Sequence, residues 1–214
     1  MRLTPDLIAR TALSVLDETG LDGLSMRLVA TRLDVQPAAL YWHLKNKQQL
    51  LAAMAGVIFN AAVDGLEAPR AGESWQDWLA DYARALRRAM LGYRDGALVF
   101  AGSNVSEHNL FRATELALRT LQDAGFAVRR AARSMSALVH YTVGFTVEEQ
   151  VHTSAGEAGH VDAARFPLTA QAYLDDNLFD PDTDDCFEFG LQIILAGMHT
   201  TRESRSQATE TQVP

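Results

Sequence analysis

Gln36-Pro37-Ala38-Ala39-Leu40-Tyr41-Trp42-His43-Leu44-Lys45-Asn46-Lys47 carries two signals at once. Proline sits where a helix opens, since its ring presets the backbone angle and its missing N–H costs nothing there. The run that follows is too short for an independent helix. It ends in Lys-Asn-Lys, where a further helix begins. Upstream, Ser25 caps a helix in which Leu28, Val29 and Leu33 face inward, and Asp34-Val35 makes a tight turn. Two short helices joined by a tight turn form a helix-turn-helix, and a DNA major groove admits one such helix. Lys47 and the helix N-terminus after Lys45-Asn46 suit phosphates, and Tyr41 and His43 add hydrogen bonds to them. Arg27, one turn into the preceding helix, reaches a guanine edge or a phosphate. The DNA-contacting set is Arg27, Gln36, Pro37, Ala38, Ala39, Tyr41, Trp42, His43 and Lys47. Spacing alone leaves a second reading open, with the aromatics as local core and the charges as a solvated face.

Outward from this segment the chain reads as helix throughout, so the fold class is all-α. Thr4-Pro5-Asp6 opens a first helix, with Leu7, Ile8, Ala12, Val15 and Leu16 at helical spacing, and Gly20 stops it. A longer helix runs from about Asn46 towards Ala62. The stretch Val63–Gly72, with Gly65, Pro69 and Gly72, marks the domain boundary. Residues 1–62 are expected to form a DNA-binding domain with its connecting helix, 63–201 a larger helical domain for regulation and dimerisation, and 202–214 a polar tail whose composition predicts disorder. Within the larger domain, helices are expected from Ser74 to about Met90, near Ala97, over Ser106–Ala124 and Arg129–Thr153, after Pro167, and over Asp184–Thr201.

Composition bounds the function. The 214 residues are 48% apolar, with no uninterrupted apolar run long enough to span a membrane. The N-terminus lacks the apolar core of a signal peptide. The single cysteine, Cys186, supports neither an intramolecular disulfide nor a zinc cluster, in keeping with a reducing cytoplasm. Net charge is −8, yet residues 1–47 hold six basic side chains against five acidic ones, which leaves −9 on the remainder. DNA contact therefore comes from a few placed groups and not from a general basic field. Glu148, Glu149, His140, His152 and His160 are the acid–base candidates for a helical enzyme, but no His-Glu-x-x-His, Gly-x-Ser-x-Gly or phosphate-binding loop accompanies them. A dimer that only sequesters ligand would have no use for Tyr41 beside Lys45-Asn46-Lys47.

Residues 3–60 resemble the DNA-binding domain of TetR-family regulators, through Thr19-Gly20-Leu21-Asp22-Gly23-Leu24-Ser25-Met26-Arg27 and Leu40–Lys47. Gly72-Glu73-Ser74-Trp75-Gln76, Tyr93-Arg94-Asp95-Gly96-Ala97 and Val143–Gln150 extend the resemblance into the regulatory domain of the tetracycline repressors. The resemblance implies a ligand-responsive repressor, not an enzyme, that binds a palindromic operator in double-stranded DNA. It implies a homodimer joined through helices about 129–153 and 184–201. Met135, Leu138, Val139, Val143 and Val147 on the first and Phe187, Phe189, Leu191, Ile194, Leu195 and Met198 on the second suit that role. The tetracycline site departs from the family. Phe100 stands where those repressors carry a metal-ligating histidine, Tyr82 replaces an asparagine and Leu86 a phenylalanine, and only Glu148 and Ser103 match groups around the metal. The expected pocket is apolar and needs no metal or other cofactor, with Phe59, Tyr82, Leu86, Phe100, Asn104, Leu118, His140 and Tyr141 meeting an apolar or aromatic effector. Gln36-Pro37-Ala38-Ala39 replaces the family's base-reading Glu-Gln-Pro-Thr run, so the operator differs as well.

Overall fold

The structure is a computed structural model that describes residues 2–103, 108–152, 162–175 and 184–203. Among these residues every regular element is a helix. The order is α1 (Pro5–Gly23), α2 (Met26–Arg32), α3 (Pro37–Tyr41), α4 (Lys47–Ala62), α5 (Trp75–Leu91), α6 (Gly96–Ala101), α7 (His108–Asp123), α8 (Val128–His152), α9 (Pro167–Asp175) and α10 (Asp184–Glu203).

Helix starts follow their caps. The Thr4 side chain accepts from the Leu7 N–H, Ser25 from Leu28, Asn46 from Gln49 and Ser74 from Asp77, each satisfying a donor that has no partner inside its helix. Gly20 does not end α1. It kinks it, with φ of 68°, and the helix resumes to Gly23. The kink is repaired from a distant segment, because the Leu21 N–H donates to the Asp95 carboxylate at 2.8 Å. A Cβ at position 20 would lie 3.2 Å from that carboxylate, and the left-handed backbone angle also favours glycine.

Two helices organise the packing. α4 lies between α1 on one side and α5 and α6 on the other, so it belongs to both the N-terminal and C-terminal cores. α8 packs against α5, α6, α7 and α10. α10 divides into two faces. Phe187, Leu191, Leu195 and Met198 are buried within the chain, whereas Phe189 is 71% and Ile193 58% exposed.

Candidate DNA-reading head and effector cavity

α2 and α3 are held by a small core beneath them. Val29, Ala30 and Leu40 are fully buried, and Leu44 nearly so. Asp34 turns the chain between the two helices in the left-handed region, with φ of 54°. The Gln36 side chain makes no capping bond to α3 and is exposed. Beside it, Ala38, Tyr41, Trp42 and His43 are exposed and Pro37 and Ala39 are half-buried. Trp42 is 89% exposed, far more than an indole needs for packing. At the start of α4, the Gln49 side chain accepts from the Lys45 N–H at 2.7 Å, which stiffens the Lys-Asn-Lys corner. Lys47 Nζ donates to the Leu21 carbonyl at 3.3 Å and remains exposed, as does Arg27. Arg32 differs, because both its terminal nitrogens pair with Glu18.

A cavity of about 410 Å³ lies among α4, α5, α6, α7 and α8. Of the residues expected there, Phe59, Tyr82, Leu86, Phe100, Leu118 and His140 line it. Asn104 lies outside the described residues. Tyr141 does not face the cavity. Its hydroxyl donates to the Phe187 carbonyl at 2.8 Å and its ring stacks on Phe187, so it belongs to the α8–α10 contact. The seat exists because position 190 is glycine, since a Cβ there would lie 2.3 Å from the Tyr141 oxygen. Met135 and Val139, expected on the dimer face, line the cavity instead, and Leu138, Phe187, Leu191, Leu195 and Met198 are core of the chain itself. Further wall comes from Ser103, Leu110, Ala113, Thr114, Ala132 and Ser136. Ala132, Ser136 and His140 recur every fourth residue, so helical spacing read back from His140 would have found them. Phe59 and Phe100 stack at 6.4 Å between centroids, which puts a ring and no metal-binding nitrogen at position 100. Among the described residues, no three His, Cys, Asp or Glu side chains gather to hold a metal.

α5 presents the cavity with Tyr82 and Leu86 and holds α8 and α10 through two arginines. Arg87 Nε donates to Glu149 at 2.9 Å and its Nη2 to the other Glu149 oxygen, while Nη1 reaches Asp184 at 2.7 Å. Its guanidinium also lies 4.9 Å from the Phe187 ring centroid. Burial opposes the Arg87 charge, but the bonds to Glu149 and Asp184 outweigh it and raise the pKa. Arg84 forms a two-pronged pair with Glu188, both contacts at 2.7 Å, and so holds the Glu188 carboxyl below its usual range. Neither arginine was singled out as a site residue, because charges on the polar side of an amphipathic helix read as solvent-facing.

Residues 8–54 match the family model described as bacterial regulatory proteins, tetR family, and residues 68–202 match the tetracyclin repressor-like C-terminal domain. The chain belongs to the TetR family of transcriptional regulators. It is 39% identical to the tetracycline repressor protein class A from transposon 1721 of Escherichia coli, over 94% of this chain and 93% of that one. Among solved structures it resembles a possible TetR family transcriptional regulator from Streptomyces coelicolor, with a TM-score of 0.83 and 36% identity over 92% of this chain and 99% of that one. It also resembles the Streptomyces coelicolor TetR family protein ActR in complex with actinorhodin, with a TM-score of 0.80 and 29% identity over 94% and 98% of the two chains. The N-terminal match spans α1–α3 and the first half of α4, and the C-terminal match spans α5–α10. No helix among the described residues is long and apolar enough to cross a membrane.

Proposed function

We propose that this chain is a cytoplasmic homodimeric repressor that leaves a palindromic operator when a small apolar or aromatic molecule enters the cavity. One observation carries the reading: a single helix, α4, supplies Phe59 to the cavity wall and Lys47 to the reading head. Twelve residues of helix separate them, about 18 Å at 1.5 Å per residue. A ligand that shifts the far end of α4 therefore changes the angle at which α3 is presented. Release follows only if the ligand prefers the non-operator conformation. Tenfold weaker operator binding needs about 1.4 kcal/mol of that preference.

Dimerisation is supported by what the fold leaves uncovered. Phe189, Ile193, Ala196 and Gly197 are exposed along one stripe of α10, and Ala137, Gly144 and Val151 along α8. One short helix reads too few base pairs for useful specificity, whereas two related by a dyad read half-sites about 34–36 Å apart. Gln36, free of the α3 cap and exposed, is the base-reading candidate, with Ala38 and Ala39 offering only methyl contact. Arg27, Tyr41, Trp42, His43 and Lys47 position the helix on the backbone.

The test is a fluorescence-anisotropy titration on DNA from upstream of the chain's own coding sequence. The complex is then challenged with tetracycline plus magnesium and with apolar aromatic compounds, each with and without chelator. Release by an aromatic compound regardless of chelator is the expected result. Release by tetracycline that chelator abolishes would overturn the metal-free cavity.

A further inference from the structure

The cavity wall is mostly apolar, and its polar groups are the hydroxyls of Tyr82, Ser103, Thr114 and Ser136 and the imidazole of His140. Tyr82 is 6% exposed, and among the described residues its hydroxyl makes no hydrogen bond. Burial pushes that phenol up to about 12, so it keeps its proton throughout the physiological range and remains a donor. The Ser103 hydroxyl is also buried without a partner. On the α8 wall, the Ser136 oxygen lies 3.4 Å from His140 Nδ1. Among the described residues no arginine, lysine, aspartate or glutamate lines the space.

This set discriminates between three ligand chemistries. A carboxylate or phosphate would give up its hydration and, among the described residues, meet no arginine or lysine in return, with the exposed His140 imidazole as the one group able to carry a positive charge. A hydrocarbon would fill the volume against Phe59, Phe100, Leu86 and Leu118 but leave the Tyr82 and Ser103 hydroxyls unanswered. A molecule with a hydrocarbon body and one neutral oxygen satisfies both demands. We infer that the effector is a neutral aromatic compound whose carbonyl or ether oxygen accepts a hydrogen bond from Tyr82, with Ser103 as a second donor. This rests on the cavity being the effector site.

Three probes of nearly one shape separate the possibilities: 9-fluorenone, fluorene and fluorene-9-carboxylate. Binding to the full chain is measured by calorimetry and by quenching of tryptophan emission, since Trp78 stacks on Tyr82 at 6.3 Å. Fluorenone is expected to bind about tenfold more tightly than fluorene, a difference of about 1.4 kcal/mol. The carboxylate should bind at least about tenfold more weakly than fluorenone. In Tyr82→Phe the advantage of fluorenone over fluorene should disappear, and in Ser103→Ala it should shrink. Equal affinities of fluorenone and fluorene in the unsubstituted chain, or tightest binding by the carboxylate, would overturn the inference. Val139→Trp, which fills the cavity, tests the underlying reading separately. If it leaves fluorenone binding intact, the probes bind elsewhere and the cavity assignment itself fails. No binding by any of the three overturns both.

Discussion

Replacing Glu149 by leucine removes one half of an ion pair in which the Arg87 side chain is 10% and the Glu149 side chain 4% exposed. Breaking such a pair from one side costs about 3–5 kcal/mol, because the remaining charge stays desolvated. Arg87 would keep two consolations. One is Asp184, whose side chain is 85% exposed and whose attraction is therefore screened, and the other is the Phe187 ring at 4.9 Å. The loss should thus fall at the lower end, about 3 kcal/mol, which lowers Tm by roughly 6–12 °C in a chain of this size. Arg87→Met should cost at least as much, since the more deeply buried carboxylate loses both guanidinium bonds. The double variant should recover to within about 1 kcal/mol of the original, because two matched apolar groups no longer carry a desolvation cost. Urea unfolding followed by tryptophan fluorescence, at one fixed protein concentration, measures all three. If both single substitutions cost under about 0.5 kcal/mol, or if their effects simply add in the double variant, the pair does not tie α5 to α8 as described.

Further outcomes follow from individual contacts. Ile193→Asp, on the exposed stripe of α10, should yield a folded monomer in sedimentation experiments, whereas Leu195→Asp, 3% exposed, should unfold the chain; dissociation without unfolding by the second would show the faces to be misassigned. Gly190→Ala should displace the Tyr141 ring, since the new methyl would lie 2.3 Å from its oxygen, and a retained Tyr141–Phe187 contact with unchanged Tm would contradict the seat. Lys47→Ala should weaken binding to every DNA sequence and flatten the salt slope by about one unit, while Gln36→Ala should alter base preference and spare non-specific affinity. The Glu188 carboxyl titrates below its ordinary value in the fold because of Arg84, so its contribution is present above the ordinary glutamate pKa and lost as pH falls through the lowered one. Glu188→Gln should accordingly flatten the acid limb of the stability profile, and an unchanged limb would count against the pair.

Local physics was legible from residue order alone. Caps at Thr4, Ser25, Asn46 and Ser74, the proline opening α3, and the spacing of apolar residues all act within one or two turns, so they show in the sequence. The helix-turn-helix and its exposed Gln36, Tyr41 and Lys47 belong to this class, because neighbouring residues build it. Part of the cavity wall was legible for a different reason: substitutions such as Phe100 and Tyr82 stand in register with a resembling family. What the sequence could not decide was which side of a uniformly apolar helix faces which neighbour. Met135 and Val139 look as suited to a partner subunit as to a cavity, and Leu195 looks like Ile193. A hydrophobic residue is indifferent to what buries it, so only the packing of α8 among α5, α7 and α10 sorts the two faces. The same holds at Gly20, where a helix that glycine alone would stop is carried onward by the Asp95 carboxylate, more than seventy residues away in sequence. Arg87 and Glu149 lie 62 residues apart along the chain and carry no local signature of each other. Their pairing is written in the tertiary structure alone, because a buried charge chooses its partner by proximity in space.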